Sequence, residues 1–361
     1  MDQENPPKDG NTFFSSGAYG CVHYPRIKCD GSRKSIAKGK RKDGLLSKLV
    51  LYDSKSKNEF LVGQKLKATK MLKNNPIVLV ERKCEIKSKG AQRIVRGYKP
   101  CEKVLTRKKD KNYKYVLMFS KYYKSITVNN YIYNSSKFSV RRILKYFYFC
   151  VYVSNILKNF NIVHNDMHMN NVIYDEAGKF HLIDFGLSLD IDKIMNQKKP
   201  NVAYLRNSLV NSELKRIDLS IEQYILRFFV YEYRFLDVYD LKKIVNGYYN
   251  LLESKKWLLD VDDFETHKNE VYEHYKNLFV NQTDIHKHIA NIVERACHTW
   301  DLYRVSVSCL NAMKQFEHEI SSTNFRLTEF KELLKSCLHY DYDMRPKQEK
   351  VLKTISSFSL I

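Results

Sequence analysis

Short alternations of apolar and polar residues occupy the first third of the chain. The segments with this pattern are Phe13–Tyr24, Ser35–Lys38, Val78–Val80, Cys84–Ile86 and Tyr115–Phe119. Alternation with a period of two is typical of β-strands, and a glycine turn divides the first segment into two strands. Tyr52 to Met71 has helical spacing instead. We therefore predict a small antiparallel sheet accompanied by one helix.

Helical spacing dominates the remainder of the chain. From Val140 to Phe160 the apolar residues recur at the interval of one helix face. Asn161–Asn171 is predicted to be a loop, and the turn Asp175–Gly178 joins two short strands. From Ile217 onward the pattern is mainly helical, with breaks predicted at Asn246-Gly247 and at Asn281–Asp284. A strand-rich part followed by a helical part indicates the α+β fold class.

The cysteines and the longest apolar run limit the compartment. Eight cysteines are scattered along 361 residues, and none forms a CxxC pair. This spacing favours reduced thiols in a cytoplasmic protein over a disulfide framework or a zinc site. The polar residues 1–10 lack the apolar core of a signal peptide, and Tyr146–Leu157 is too short to span a bilayer. We expect no transmembrane segment.

The positive charge is unevenly distributed. The net charge is +22, yet residues 1–124 carry 31 lysines and arginines against 11 acidic residues, whereas residues 125–361 carry 31 against 29. This asymmetry indicates either a solvated lysine-rich surface or a site for an acidic protein or an anionic membrane surface. Nucleic acid is less favoured, because Tyr98 and Tyr113 are the only aromatic residues interleaved with the basic runs.

Two carboxylates and one amide have the spacing that phosphoryl transfer requires. Asp166 and Asn171 lie on one predicted loop, and the short hairpin at residues 172–183 returns the chain to Asp184. One carboxylate can orient an acceptor hydroxyl, while an amide and a second carboxylate can hold a divalent cation on phosphates. An ordinary turn could hold any one of these residues, but the three together favour a catalytic site.

The motifs around these residues resemble those of protein kinases. His164 to Asn171 is similar to the HRDxxxxN catalytic loop, and Asp184-Phe185-Gly186 is similar to the DFG metal motif. The resemblance implies that Asp166 is the catalytic base and that Asn171 and Asp184 bind Mg²⁺ or Mn²⁺. It also implies a two-lobed kinase fold, with a loose tail at 1–12, an ATP-binding N-lobe at 13–122 and a catalytic, substrate-binding C-lobe at 123–361.

The same resemblance assigns nucleotide-binding residues. Ser15 to Val22 is similar to the glycine-rich loop, in which Gly17 and Gly20 approach the ATP phosphates and Val22 covers the adenine. Lys38 matches the phosphate-binding and catalytic lysine, although Lys34 and Lys40 are close to it. The other residues assigned to the cofactor are Ile36, Glu59 as the ion-pair partner of Lys38, with Glu81 and Glu85 as alternatives, and Ile173.

Several residues depart from the family pattern. Asn165 replaces an arginine that meets an activating phosphate in the family, and His168 replaces a lysine that contacts the γ-phosphate, a catalytic role that a protonated histidine could also perform. Arg345-Pro346 resembles the arginine motif of the last kinase subdomain, but its partner is uncertain, with Glu213 as a weak candidate. Asp218 is the candidate for the buried aspartate that holds the catalytic loop.

These features favour one function over two alternatives. We expect an ATP-dependent Ser/Thr-type protein kinase that acts on protein substrates. The divergent motifs and the Lys/Asn/Tyr-rich composition resemble kinases of large DNA viruses, which implies the host cytoplasm or the virion as its location. The alternatives are a small-molecule kinase similar to the choline and aminoglycoside phosphotransferases, and a pseudokinase that acts as a scaffold.

Overall fold

The chain divides into two compact units. The structure is a computed structural model, and it describes residues 13–17, 20–24, 26–27, 29, 44–68, 76–95, 101, 114–134, 139–195, 198–209, 216–258, 263–280, 282–319 and 325–358. The first unit comprises residues 1–125 and 175–186, and the second unit comprises residues 126–174 and 187–361.

An antiparallel sheet forms the centre of the first unit. Its strands, in spatial order, are β1 (Phe13–Gly17), β2 (Gly20–His23), β3 (Leu45–Leu51), β5 (Tyr115–Lys121) and β4 (Val80–Ile86). Strands β3 and β5 pair along their full length. The predicted strand Ser35–Lys38 lies outside the described residues, and the strand that follows β2 in the described chain is β3. The segments predicted as Val78–Val80 and Cys84–Ile86 are replaced by the single strand β4.

Among the described residues, more than one helix accompanies this sheet, so the expectation of one helix is wrong. Helix α1 (Ser54–Ala68) lies within the predicted Tyr52–Met71, and α2 (Ser88–Val95) was not predicted. Ala91, Ile94 and Val95 of α2 are buried in the same apolar cluster as Leu49 and Leu117 of the sheet. Burial of this short apolar face stabilises α2, because eight residues are too few to form a stable helix alone.

Two disulfides correct the expectation that all cysteines are reduced. Cys21 of β2 is bonded to Cys101, and Cys29 is bonded to Cys84 of β4. The other four cysteines, Cys150, Cys297, Cys309 and Cys337, are free and buried. Sequence spacing missed the disulfides because their partners are 80 and 55 residues apart. Cysteine usage therefore no longer supports a reducing compartment, and the cytoplasmic location stays a prediction.

The second unit is mostly helical. Its helices are α3 (Val128–Tyr133), α4 (Val140–Lys158), α5 (Ile191–Met195), α6 (Val202–Ser208), α7 (Ile221–Tyr231), α8 (Val238–Leu252), α9 (Phe264–Phe279), α10 (Ile285–Ala296), α11 (Trp300–Gln315), α12 (Phe325–Ser336) and α13 (Gln348–Ser356). The predicted break at Asn246-Gly247 is wrong, because α8 continues through it. Gly247 is exposed, and a glycine there destabilises the helix by only about 1 kcal/mol. The buried face of α8, including Val245 and Tyr249, supports the helix.

Short strands border the catalytic segment. Strand β7 (Ile162–Val163) pairs with β10 (Leu189–Asp190), and a three-stranded sheet has the order β6 (Ser125–Thr127), β8 (Val172–Asp175) and β9 (Phe180–Leu182). The predicted helix at Val140 to Phe160 is α4, which buries Ile143, Phe147 and Val151. A small antiparallel-sheet unit and a mainly helical unit confirm the predicted two-lobed α+β class. Among the described residues, no helix is long and apolar enough to cross a membrane.

Candidate active site

Lys48, in the first unit, forms ion pairs with two acidic residues. Lys48 is the fourth residue of β3, and its register partners are Val22 on β2 and Met118 on β5. The Nζ atom of Lys48 lies 3.1 Å from Oε2 of Glu59 on α1 and 3.0 Å from Oδ1 of Asp184. The strand, the helix and the segment after β9 therefore each contribute one charged group.

Burial and charge act in opposite directions on this trio. Burial alone would lower the pKa of Lys48, but the carboxylates of Asp184 and Glu59 raise it well above its ordinary value. Burial raises the pKa of Glu59, and the negative charge of Asp184 adds to this effect while Lys48 opposes it. Lys48 is therefore firmly cationic. Because the pKa of Glu59 is raised to about 7, a cation bound near this trio would favour the ionised form of its carboxyl group.

The lysine in this trio is not the one that the sequence motif indicated. Lys38 and Ile36 both lie outside the described residues, and the ion pair expected between Lys38 and Glu59 is formed by Lys48. The physical reason is the position of the strand: β3 begins at Leu45, and Lys48 is its only charged residue. The signal available in the sequence was an apolar strand with one lysine. That lysine, Lys48, precedes Glu59 by 11 residues.

The alternative partners Glu81 and Glu85 lie away from Lys48. Both are exposed on β4, and Glu85 lies 3.8 Å from Lys114. Glu59, in contrast, is buried beside the lysine. Glu59 and Asp184 therefore both contact Lys48, a residue that the sequence motifs did not contain.

The glycine-rich segment forms the β1–β2 hairpin. Gly17 and Gly20 are register partners at its end, and residues 18–19 lie outside the described residues. A Cβ atom on Gly20 would lie 2.6 Å from a side-chain carbon of Val50 and 2.8 Å from the carbonyl oxygen of Leu49. Close packing against β3 therefore requires glycine at position 20 irrespective of any ligand. Val22, on the same strand, is opposite Lys48.

In the second unit, a buried aspartate holds the start of the catalytic loop. The Oδ2 atom of Asp301 accepts a hydrogen bond of 2.8 Å from the backbone N–H of His164, and its Oδ1 accepts one of the same length from Asn165. Asp301 belongs to α11 and is buried. The loop anchor is therefore Asp301, and the assignment of this role to Asp218 is wrong. A separation of 137 residues concealed Asp301 from sequence motifs.

The side chain of Asn165 takes part in two buried hydrogen bonds. Its Nδ2 donates to the carbonyl of Leu187 at 3.2 Å, and its Oδ1 accepts from Nε2 of Gln223 at 3.2 Å. Its backbone has φ 57°, in the left-handed region that asparagine tolerates better than most residues. Asn165 therefore links the catalytic loop to α7 and to the segment after Asp184.

Asp166 is surrounded by donors. Nδ2 of Asn171 lies 3.0 Å from its Oδ2, while Arg216 and Arg304 lie 3.2 and 3.3 Å from its Oδ1. Burial alone would raise the pKa of Asp166, but His168 and the two guanidinium groups hold it well below its ordinary range. Such a carboxylate is a weak base. It is better suited to orienting a hydroxyl group than to removing its proton early in the reaction.

The other residues expected in the catalytic segment lie close to Asp166 or on the strand after it. Nε2 of His168 lies 3.6 Å from Oδ2 of Asp166, and its Nδ1 accepts the N–H of Asn170. The amide nitrogen of Asn171 donates to both the carbonyl and the side chain of Asp166. This orientation leaves the amide oxygen of Asn171 as the atom available to a cation. Ile173 is half-buried on β8.

Arg345 has a buried partner that the motif search missed. Its Nη1 and Nη2 lie 2.6 and 3.0 Å from the two carboxylate oxygens of Glu222, and both residues are buried. Glu213, the candidate from the sequence, lies outside the described residues. Glu222 could have been found as an acidic residue in the first turn of an apolar helix, but an exposed helix-cap role is more common for such a residue.

A comparison with known protein families finds a match over part of the chain. Residues 43–217 match the family model of the protein kinase domain, and no curated protein matches the chain. This match identifies residues 43–217 as a protein kinase domain, which supports the eukaryotic-type protein kinase family and a phosphotransfer function. The matched segment contains Lys48, Glu59, Asp166, Asn171 and Asp184. It begins after Lys38 and ends before Glu222, Asp301 and Arg345.

Proposed function

We propose that the protein transfers the γ-phosphoryl group of ATP to serine or threonine hydroxyls of protein substrates. The observation that carries this proposal is the contact of Lys48 with both Glu59 and Asp184 in the first unit. A lysine held between two carboxylates is positioned and charged before a nucleotide binds. It can then bind phosphate oxygens without further ordering of its long side chain.

Each remaining group has a chemical role in this proposal. Asp184 would offer Mg²⁺ a carboxylate oxygen and Asn171 an amide oxygen, which are hard ligands of the kind that this cation prefers. A bound Mg²⁺ would supply positive charge against the phosphates. Asp166, which is kept ionised by Arg216 and Arg304, orients the acceptor hydroxyl. His168 is proposed to contact the transferred phosphate through Nε2.

Support for a protein acceptor comes from the second unit. Arg345 and Glu222 form a buried ion pair that joins α7 to the segment before α13. In protein kinases such a pair supports the region that receives a peptide. Of the three basic runs in the first 124 residues, Arg26–Lys42 and Lys103–Lys114 lie largely outside the described residues, whereas most of Arg82–Lys99 lies within them. Their interaction with an acidic protein or an anionic surface therefore stays a prediction.

The test is a transfer assay with several acceptors. Purified protein is incubated with labelled ATP and Mg²⁺ or Mn²⁺, together with casein, histone or choline-like acceptors, and Asp184→Asn serves as the control. Label in phosphoserine or phosphothreonine that is lost in the control supports the proposal. Label only in small acceptors would show a small-molecule kinase, and nucleotide binding without any transfer would show a pseudokinase.

A further inference from the structure

Two arginines of the second unit each contact the same two aspartates. Nη2 of Arg216 lies 3.2 Å from Oδ1 of Asp166 and 2.6 Å from Oδ2 of Asp218. Nη1 of Arg304 lies 3.3 Å from the same oxygen of Asp166, and its Nε lies 3.2 Å from Oδ2 of Asp218. These four residues form one set of alternating charges, the arginine–carboxylate cluster.

Asp218 holds Arg216 more firmly than Asp166 does. The guanidinium group of Arg216 donates two hydrogen bonds to Asp218, of 2.9 Å from Nε and 2.6 Å from Nη2, but only one, of 3.2 Å, to Asp166. Two parallel hydrogen bonds fix the plane of a guanidinium group. Burial alone would raise the pKa of Asp218, but Arg216 and Arg304 lower it, so Asp218 is ionised. The carboxylate of Asp218 therefore sets the direction in which Arg216 reaches Asp166.

The two carboxylate oxygens of Asp166 have different surroundings. Oδ1 accepts hydrogen bonds from both Arg216 and Arg304. Oδ2 accepts one of 3.0 Å from Nδ2 of Asn171, while Nε2 of His168 lies 3.6 Å away, beyond the ordinary length of a hydrogen bond. A carboxylate oxygen can accept about two hydrogen bonds. The arginines therefore fill Oδ1, and Oδ2 is the oxygen better placed to accept a hydrogen bond from an acceptor hydroxyl.

We propose that Asp218 is a positioning residue for phosphoryl transfer. It holds Arg216 and Arg304 against Oδ1 of Asp166 and so keeps Oδ2 available to the acceptor hydroxyl. Asp218 thus acts on the side chain of Asp166 through the two arginines, whereas Asp301 acts on the backbone of the loop. This inference rests on the proposed function, in which Asp166 orients the acceptor.

Asp218→Asn removes one negative charge from the cluster and leaves two guanidinium groups against one carboxylate. The arginines then lose an anionic partner, and the carboxylate of Asp166 is no longer held in one orientation. The kcat for transfer to a protein acceptor is expected to fall by about tenfold, while the KM for ATP stays within about twofold of the wild type. Asp218→Glu keeps the charge and is expected to recover part of the lost kcat.

A double variant tests whether Asp218 acts through the arginines. Arg216→Met combined with Asp218→Asn again leaves one guanidinium group, that of Arg304, for the carboxylate of Asp166. The loss of kcat in the double variant is therefore expected to be at least about threefold smaller than the product of the two single losses. Asp343→Asn and Arg295→Met form the matched control, because they belong to an ion pair of the same unit whose side chains are 43% and 49% exposed. The control variants are expected to stay within about twofold of the wild-type kcat.

Urea unfolding of the same proteins separates positioning from a structural role. The double variant is expected to lose less stability than the sum of the two single losses, and kcat is corrected for the folded fraction of each protein. Additive losses of stability would show that the four residues do not act as a cluster.

Coupling in stability without coupling in kcat would show a structural cluster only, and it would overturn the positioning role. An Asp218→Asn variant with the kcat of the control variants would overturn it as well. If the wild type transfers phosphate to no acceptor, the proposed function fails and the positioning role fails with it. If the wild type is active and only the Asp218 and Arg216 results deviate from expectation, the proposed function stands and this inference alone fails.

Discussion

The ammonium group of Lys48 lies 3.0 Å from Oδ1 of Asp184, and it also contacts Glu59. Asp184 has φ 65°, a left-handed conformation that costs on the order of 1 kcal/mol for a residue with a side chain. Lys48 therefore helps to hold a strained aspartate. A divalent cation would be able to take the place of Lys48 at Asp184 if the lysine turned to bind a phosphate group.

Lys48→Met is expected to lower kcat/KM for phosphoryl transfer by about 100-fold or more, equivalent to about 2.7 kcal/mol of transition-state stabilisation. The loss follows from the missing phosphate contact and from the unpaired carboxylates of Glu59 and Asp184. Lys38→Met is the matched comparison and is expected to stay within about threefold of the wild type, a difference of under 1 kcal/mol. Steady-state kinetics measure both. A larger loss in Lys38→Met than in Lys48→Met would return the role to the motif lysine.

Metal dependence tests Asp184 separately. In the wild type, nucleotide affinity is expected to be higher with Mg²⁺ than with EDTA, because a cation screens the phosphates from Asp184 and Glu59. Asp184→Asn removes one negative ligand, so the difference between the two conditions should shrink and transfer should fall by several orders of magnitude. Titration calorimetry with an ATP analogue gives the affinities. An unchanged effect of Mg²⁺ in this variant would place the metal elsewhere.

The sequence predicted the fold class and the catalytic loop because both depend on local patterns. The helix period in α4 and the hairpin around Asp175–Gly178 can be read from a few consecutive residues. Asp166, Asn171 and Asp184 lie within 19 residues and carry a recognisable motif. Helix α2 was missed because its helical form depends on burial against the sheet, which a short sequence pattern does not specify.

Long-range pairs could not be predicted in this way. Asp301 meets His164 across 137 residues, and Arg345 meets Glu222 across 123. Helices α5 to α10 lie between His164 and Asp301 in the sequence, and α8 to α12 lie between Glu222 and Arg345, so local spacing gave no reason to associate either pair. Lys48 was missed for a different reason. Lys38 matched the kinase motif better, but Lys48 is the lysine of β3 that lies beside Glu59 in the structure.

Asp301→Asn tests the anchor of the catalytic loop. Asparagine has one acceptor oxygen in place of two, so one of the N–H groups of His164 and Asn165 loses its partner. The expected loss in the free energy of unfolding is about 1–3 kcal/mol, with a fall in kcat because the loop carries Asp166. Asp218→Asn is compared by urea unfolding and steady-state kinetics. A stable, fully active Asp301→Asn protein would show that the loop does not depend on this contact.

Acid stability reports on the arginine–carboxylate cluster. Burial opposes ionisation of Asp166 and Asp218, but Arg216 and Arg304 lower both pKa values, and His168 also lowers that of Asp166. Groups whose pKa is lower in the folded state than in the unfolded state stabilise the protein above about pH 4, the ordinary value for aspartate, and this stabilisation is lost as the pH falls. Arg216→Met should weaken the dependence. Urea unfolding between pH 6 and pH 3 provides the measurement, and equal slopes in both proteins contradict the expectation.

Glu222 and Arg345 form a buried ion pair in which each charge compensates the other. We expect the loss of stability on breaking the pair to come mainly from the charge that is left buried alone. Glu222 also accepts hydrogen bonds from Nε1 of Trp300 at 2.9 Å and from the hydroxyl of Ser220. Removing one charge leaves the other buried, so Glu222→Gln and Arg345→Met should each destabilise the protein by about 3–5 kcal/mol. The double variant should be more stable than the sum of the single losses predicts, by about 1–3 kcal/mol. Additive losses in urea unfolding would mean that the two charges do not act as a pair.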